Sequence, residues 1–254
     1  MMHEIPKKQF MGDNSLRHYV VPQGVTEIGD WAFAGCKNLV WVAIPESMER
    51  IGREAFASCA KLEAVYCYRE TVEQKEEQVA ELMALALRFF PETTEMIFPQ
   101  KAGRHQWLCD WDKACRRFLD RPDEEGFRPF LAGGEEDYED EEEKREEYCR
   151  AKRLIKANVI LKRLLLEEEV EGCCLPEEEN LYFKRKLQEN DMALEVFREC
   201  VNKPALVVKI YEEAGILTQE TYRKVLETLP KERVELRAIL LQRTVGVGMD
   251  EWMI

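Results

Sequence analysis

Apolar positions between Leu16 and Cys67 recur every 23 residues. Leu16, Leu39 and Leu62 align, as do Tyr19, Val42 and Val65, and then Val21, Ile44 and Cys67. The same shift pairs Pro22 with Pro45, Val25 with Met48, Ile28 with Ile51, Gly29 with Gly52, Phe33 with Phe56 and Cys36 with Cys59. A period of this length marks stacked supersecondary units, none of which can bury its apolar face alone. Within the units, Tyr19-Val20-Val21 and Val42-Ala43-Ile44 predict short strands closed by proline, which cannot donate to a continuing ladder. Ile28-Gly29 and Ile51-Gly52 predict turns, with glycine supplying a tight or left-handed conformation. Asp30-Trp31-Ala32-Phe33 and Glu54-Ala55-Phe56 predict short helical turns whose phenylalanines stack from one unit to the next. Cys36 and Cys59 fall at equivalent places and read as small buried hydrophobes.

Beyond the third strand, Val65-Tyr66-Cys67, the pattern becomes helical. Thr71-Val72-Glu73-Gln74 has capping-box spacing, and Val72, Val79, Leu82, Met83, Ala86 and Phe90 follow at helical intervals up to Pro91. A stack of so few units has exposed ends, and this amphipathic helix is expected to cap or interrupt it. Met96-Ile97-Phe98-Pro99 repeats the strand signature and predicts one further strand. Residues 107–119 form the next helical pattern, with Leu108, Trp111, Cys115 and Phe118 as a core stripe. Residues 121–140 read as a linker or long loop. Over 146–169, Ala151, Leu154, Ile155, Leu161, Leu164 and Leu165 predict an apolar helix face, with Arg150, Lys152, Arg153, Lys156, Lys162 and Arg163 around it. In the last third a shift of 28 residues aligns Leu194 with Tyr222, Phe197 with Val225, Val201 with Leu229, Leu206 with Val234 and Tyr211 with Ile239. Helix pairs are expected at 192–201 with 204–214 and at 219–229 with 231–242. Asp191 and Thr218 are the expected N-caps, Gly215 the C-cap and Pro204 a helix start. These pairs read as ankyrin-like units without the Thr-Pro-Leu-His signature, or as an ordinary bundle.

The run from Val25 through Ile28-Gly29, Ala32-Phe33 and Cys36 to Leu39, echoed from Met48 to Leu62, resembles the BspA-type leucine-rich repeat. Two full units match, with the opening strand of a third. The resemblance implies a ligand- or partner-binding solenoid, and many members of that family are bacterial surface proteins. The expected fold class is α+β: a short N-terminal leucine-rich-repeat solenoid followed by an all-α helical-repeat or bundle region. The expected domains are 1–100, the repeat block with an inserted or capping helix; 101–145, a helix and an acidic linker; and 146–254, an α-helical domain.

Composition refines this picture at three points. Hydrophobic residues make up 45% of the 254, enough for a folded core. The net charge of −13 is concentrated, because 123–147 holds thirteen acidic and three basic side chains. That run, centred on Gly133 to Glu143, reads as a solvated loop or helix approach, with docking of a basic partner as the alternative. No positive face is available for phosphate contacts, which argues against nucleic acid. Nine cysteines, an odd number, read as reduced thiols, and the start of the chain lacks the apolar core of a signal peptide. No stretch is long enough for a membrane span. The expected location is the cytoplasm, in a bacterium.

Chemistry-bearing motifs are sparse. His105, Cys109 and Cys115 lack zinc-ligand spacing and a fourth ligand, so no metal is expected. Gly246-Val247-Gly248 is no nucleotide loop and reads as a tail, and no cofactor is expected. No catalytic residue stands out, and the chain reads as a non-enzyme. The expected role is a protein-interaction or scaffold module with a protein partner. Its candidate partner-binding residues are the exposed, non-repeating positions Arg17, Gln23, Thr26 and Glu27, then Glu46, Glu49 and Arg50, with Trp31 and Trp41 as aromatic anchors. The alternatives are a structural protein assembled through its helical half, its oligomeric state open, or a surface adhesin should an export signal be missing from the sequence.

Overall fold

A computed structural model describes residues 4–70, 77–90, 104–127, 138–170, 172–200 and 202–248. Six short strands come first: β1 (Glu4–Ile5), β2 (His18–Val20), β3 (Glu27–Ile28), β4 (Trp41–Pro45), β5 (Arg50–Ile51) and β6 (Ala64–Tyr68). Eight helices follow among the described residues: α1 (Glu77–Phe89), α2 (Arg104–Asp120), α3 (Tyr138–Glu169), α4 (Glu177–Gln188), α5 (Ala193–Glu199), α6 (Pro204–Glu213), α7 (Gln219–Thr228) and α8 (Val234–Gly248). The class is α+β with a helical C-terminal region. Two compact units divide the chain, Met1–Asp120 and Arg121–Ile254.

In the first unit the strands form two parallel three-stranded sheets, β1-β3-β5 and β2-β4-β6. Every pairing joins residues 23 apart: Glu4 lies beside Glu27 and Glu27 beside Arg50, while His18 lies beside Trp41 and Trp41 beside Ala64. The turns make a third ladder at the same shift. Phe10 N–H donates to Ala32 O at 2.8 Å and Phe33 N–H to Ala55 O at 2.8 Å. The rings of Phe10, Phe33 and Phe56 stack at centroid distances of 5.1 Å. Val25, Ile28, Phe33, Leu39, Val42, Ile44, Met48, Phe56 and Leu62 are buried with them. Leu16, first of the aligned leucines, is only half-buried, because no described unit precedes it.

Four sequence expectations change in this unit. The lattice begins earlier than Leu16, since Ile5, Phe10 and Gly12 occupy the places of Ile28, Phe33 and Gly35. Ile28 and Ile51 sit in strands rather than turns. Asp30 to Phe33 and Glu54 to Phe56 are successive tight turns, not helical ones. Lys8, Trp31 and Glu54, at equivalent positions, have φ of 54–61°, and left-handed residues end any helix. Gly29 and Gly52 are required for space: a Cβ on Gly29 would lie 2.6 Å from Lys7 N, and one on Gly52 2.4 Å from Asp30 N. Last, Cys36 and Cys59 do more than fill volume. Their thiols donate to the carbonyls of Phe10 at 3.0 Å and Phe33 at 3.1 Å, satisfying acceptors between units.

Helix α1 lies against β6, where Ala80 joins Ala43, Ala64, Tyr66 and Tyr68 in one cluster with Trp41 at its margin. Arg88 donates to Leu62 O and Ala60 O, both at 3.0 Å, at the last turn of the repeats. Helix α2 packs on α1, with Trp111 Nε1 donating to Leu82 O at 3.0 Å and Phe90 against the rings of Trp111 and Phe118. Leu108, Trp111, Cys115 and Phe118 are all buried. The capping-box residues Thr71 to Gln74 and the strand expected at Met96 to Pro99 lie outside the described residues.

In the second unit α4, α5 and α6 pack on the long helix α3, and α8 packs on α6 and α7. The buried positions of α3 are Cys149, Ala157, Val159, Ile160, Leu161, Leu164 and Leu166. Ala151 is exposed and Leu154, Ile155 and Leu165 only half-buried, which departs from the expected face. Lys156 and Arg163, expected at the margin, are buried with it. Packing on α3 takes these two cations inside, while Asn158 and Glu168 on the same helix stay exposed. Lys156 Nζ bonds Asp123 Oδ1 at 2.7 Å and Arg121 O at 2.6 Å, and Arg163 donates to Cys173 O at 3.1 Å. Thr218 caps α7 in a reciprocal box with Thr221, Pro204 opens α6 and Gly215 follows α6 with φ +70°. Asp191 is not a cap: Met192 holds that place at α5, and the Asp191 carboxylate forms an ion pair with Arg153 at 2.9 Å. The 28-residue equivalence fails at Val234, which is 71% exposed.

Candidate partner-binding surface

Stacking at a fixed shift sorts the side chains into those that repeat inward and those that vary outward. The nine candidate residues fall among the latter on three separate ladders. On the turn ladder, the left-handed backbone at Trp31 presents a half-buried indole. Its Nε1–H donates to Glu54 Oε2 at 2.8 Å, one unit on. Lys7 Nζ lies 4.8 Å from the ring centroid, Lys8 Nζ 5.6 Å and the Arg53 guanidinium 5.8 Å, so three cations lie around one indole ring.

The β1-β3-β5 ladder carries Thr26, Glu27, Glu49 and Arg50. The Thr26 carbonyl accepts from Glu49 N at 2.7 Å and from Arg50 N at 3.1 Å. The Glu27 carboxylate pairs with the Arg50 guanidinium, and this hydrogen bond holds Arg50 above its usual range. Glu49 is exposed.

The β2-β4-β6 ladder carries the rest. Trp41 is half-buried, stacked on the His18 ring at 5.0 Å and 12° and edge-on to Tyr66 at 6.2 Å. Arg17, next to His18 in sequence, is exposed. At the other end of the strands the Gln23 amide donates to Arg69 O, and Glu46 Oε2 accepts from Arg69 Nε at 2.9 Å. The Tyr68 hydroxyl, donating to Val21 O, spans the same two units from within.

The structure thus groups Trp41 with Gln23 and Glu46 along one sheet, and places Trp31 on a different ladder. It adds Lys7, Lys8 and Arg53 around Trp31, and His18, Tyr66 and Arg69 around Trp41. Reading the 23-residue shift backwards from Trp31 to Lys8 and from Trp41 to His18 would have found two of these. The cation cluster joins neighbours across units and has no local signature. Such aromatic and charged surfaces can bind protein through ring faces and paired charges.

Of the acidic run, Gly133 to Asp137 lies outside the described residues, and the remainder opens α3, with Glu142, Glu143, Glu146 and Glu147 exposed. The cations of α3 mostly pair elsewhere. Arg153 meets Glu146 at 2.6 Å but also Asp191, and Arg150 meets Glu195 at 2.7 Å. Among the described residues, no group of three or more His, Cys, Asp or Glu side chains could hold a metal ion. Gly246 to Gly248 closes helix α8 rather than fraying as a tail. No helix among the described residues is long and apolar enough to cross a membrane.

Residues 3–98 match the family described as BspA type leucine rich repeat region, in six copies. No curated protein and no solved structure matches the chain.

Proposed function

We propose that residues 4–68, within the stretch 3–98 that matches the BspA type leucine rich repeat region, form a short solenoid acting as a non-enzymatic protein-interaction module, in keeping with a family that suggests a protein-interaction or adhesin-like role. The observation that carries the reading is the division of labour along the repeat. Inward positions recur in three parallel ladders, while outward positions vary and include two partly accessible tryptophans. Trp31 and Trp41 are the anchors, and Arg17, Gln23, Thr26, Glu27, Glu46, Glu49 and Arg50 supply the polar rim. A protein partner, in the cytoplasm of a bacterium, completes the proposal. Support for a reducing compartment comes from the odd number of cysteines in the sequence, nine.

Affinity capture with the full chain from its host, followed by mass spectrometry, tests the proposal. The comparison is with the W31A/W41A double variant. A protein enriched by the native chain and reduced at least about tenfold by the double variant, with an unchanged circular-dichroism spectrum, supports the module. Equal recovery by both chains removes the tryptophans as anchors.

A structural role through the helical half is the second reading. It is favoured by Val234 and Leu241, 71% and 50% exposed and seven residues apart on α8. Light scattering of a V234K/L241K variant checks it: self-association that disappears only in this variant selects the structural role.

A further inference from the structure

The first and last of the described units differ on their outer sides. On the far side α1 lies against β6, and Arg88 occupies the carbonyls of Ala60 and Leu62. On the near side Phe10, Leu16 and Tyr19 are half-buried, whereas their equivalents one unit on, Phe33, Leu39 and Val42, are fully buried by the neighbouring unit. Val20 and Met11, 42% and 55% exposed, lie in this same first unit.

The backbone of β2 shows which groups remain available. Val21 N–H donates to Ala43 O, and Arg17 O accepts from Val40 N, so the odd-numbered residues turn their polar groups toward β4. Alternation then directs the N–H and C=O of His18 and Val20 to the opposite edge, where no strand pairs among the described residues.

We infer that this edge is a two-fold interface on which a second copy of the chain lays its own β2 antiparallel. Centred on Tyr19, the pairing makes Tyr19 opposite Tyr19 a non-hydrogen-bonded pair. His18 and the partner's Val20 then exchange both N–H···O bonds, as do Val20 and the partner's His18. The result joins both β2-β4-β6 sheets into one of six strands. A second copy is the occupant for three reasons. The edge continues the surface that buries one unit against the next elsewhere in the stack. Helix α1 on β6 prevents head-to-tail extension, so the assembly closes at two. The register sets Arg17 against Val21 and His18 against Val20, with no like charges opposed. The inference is independent of the foreign partner proposed above.

The test is sedimentation velocity of the full chain from about 1 to about 100 µM, a range in which a modest dimer appears. The expected result is reversible doubling of mass. V20P removes an N–H that points away from β4, a place an edge strand tolerates proline. It should weaken the dimer about tenfold or more while leaving the thermal midpoint near that of the native chain. Should V20P fail to fold, V20K places a charge on the same edge and must give the same dissociation. V234K/L241K must leave the dimer intact. A native chain monomeric throughout the range overturns the inference. So does a dimer that survives both V20P and V20K, or a monomer whose Val20 edge instead captures a different protein.

Discussion

Single residues in the first unit are constrained by the neighbouring unit more than by their own sequence. Gly52 illustrates this: its φ is ordinary, yet its Cβ position is occupied by backbone atoms of Asp30 and Gly29 at 2.4 and 2.6 Å. G52A is therefore expected to destabilise by about 3 kcal/mol, since backbone cannot yield as a side chain would. G24A meets nothing within 4 Å and carries only the left-handed strain of φ +82°, about 1 kcal/mol. Urea midpoints of the two variants check the ordering. Cys59 adds a dependence on pH. Burial pushes its thiol up to about 12 from an ordinary 9.0. The folded state thus keeps a proton that the unfolded chain releases, and stability is full below pH 9 and falls as pH rises toward 12. The slope from this one group is about 1.4 kcal/mol per pH unit. C59S keeps the donor to Phe33 O, and urea titrations at successive alkaline pH values should show a shallower decline than in the native chain.

Elements owe their stability to what packs on them, and α3 is the clearest case. Its sequence is amphipathic enough to announce a helix, yet Lys156 lies inside, with only 9% of its side chain exposed, against Asp123 and the Arg121 carbonyl. D123A leaves that ammonium with one backbone acceptor and is expected to cost about 2 kcal/mol, less than a fully buried pair because Asp123 is 28% exposed. Adding K156M should recover most of the loss, so the double variant melts above D123A alone in circular dichroism. The helix was legible from its apolar period. The burial of Lys156 was not, because Asp123 and Arg121 are 33 and 35 residues away and no local pattern links them. The caps divide likewise. Thr218 and Gly215 act within their own turn and were readable, whereas Asp191 is drawn off by Arg153 on another helix.

At the scale of the whole molecule, two compact units meet the chain at Asp120 and Arg121. Each has a core of its own, so residues 1–120 and 121–254 are expected to unfold cooperatively when expressed separately, as thermal scans would show. A fragment ending at residue 76 should instead aggregate. It loses α1, uncovers Ala64, Tyr66 and Tyr68, and frees the Ala60 and Leu62 carbonyls from Arg88. Gel filtration distinguishes the two truncations. The exposure of Arg17, Gln23, Glu49 and Arg50 was legible because a strict period marks what does not repeat, whereas Thr26, Glu27 and Glu46, expected to be exposed, are half-buried against the neighbouring units. Which of those side chains share a patch was not legible, since Trp31 and Trp41 stand only ten residues apart yet belong to different ladders.

By itself the amino-acid order determined the 23-residue lattice, the inward stripe of Ile, Phe and Leu, the helical half and its local caps. All of these follow from backbone periodicity and short-range hydrogen bonding. Only the tertiary structure decided why Gly29 and Gly52 are glycine, where the thiols of Cys36 and Cys59 donate, what encloses Lys156, and that α1 covers β6 while the outer edge of β2 has no strand partner among the described residues. Each depends on atoms brought together from a different unit or helix. Such proximity is set by stacking and is not encoded in any local run of residues.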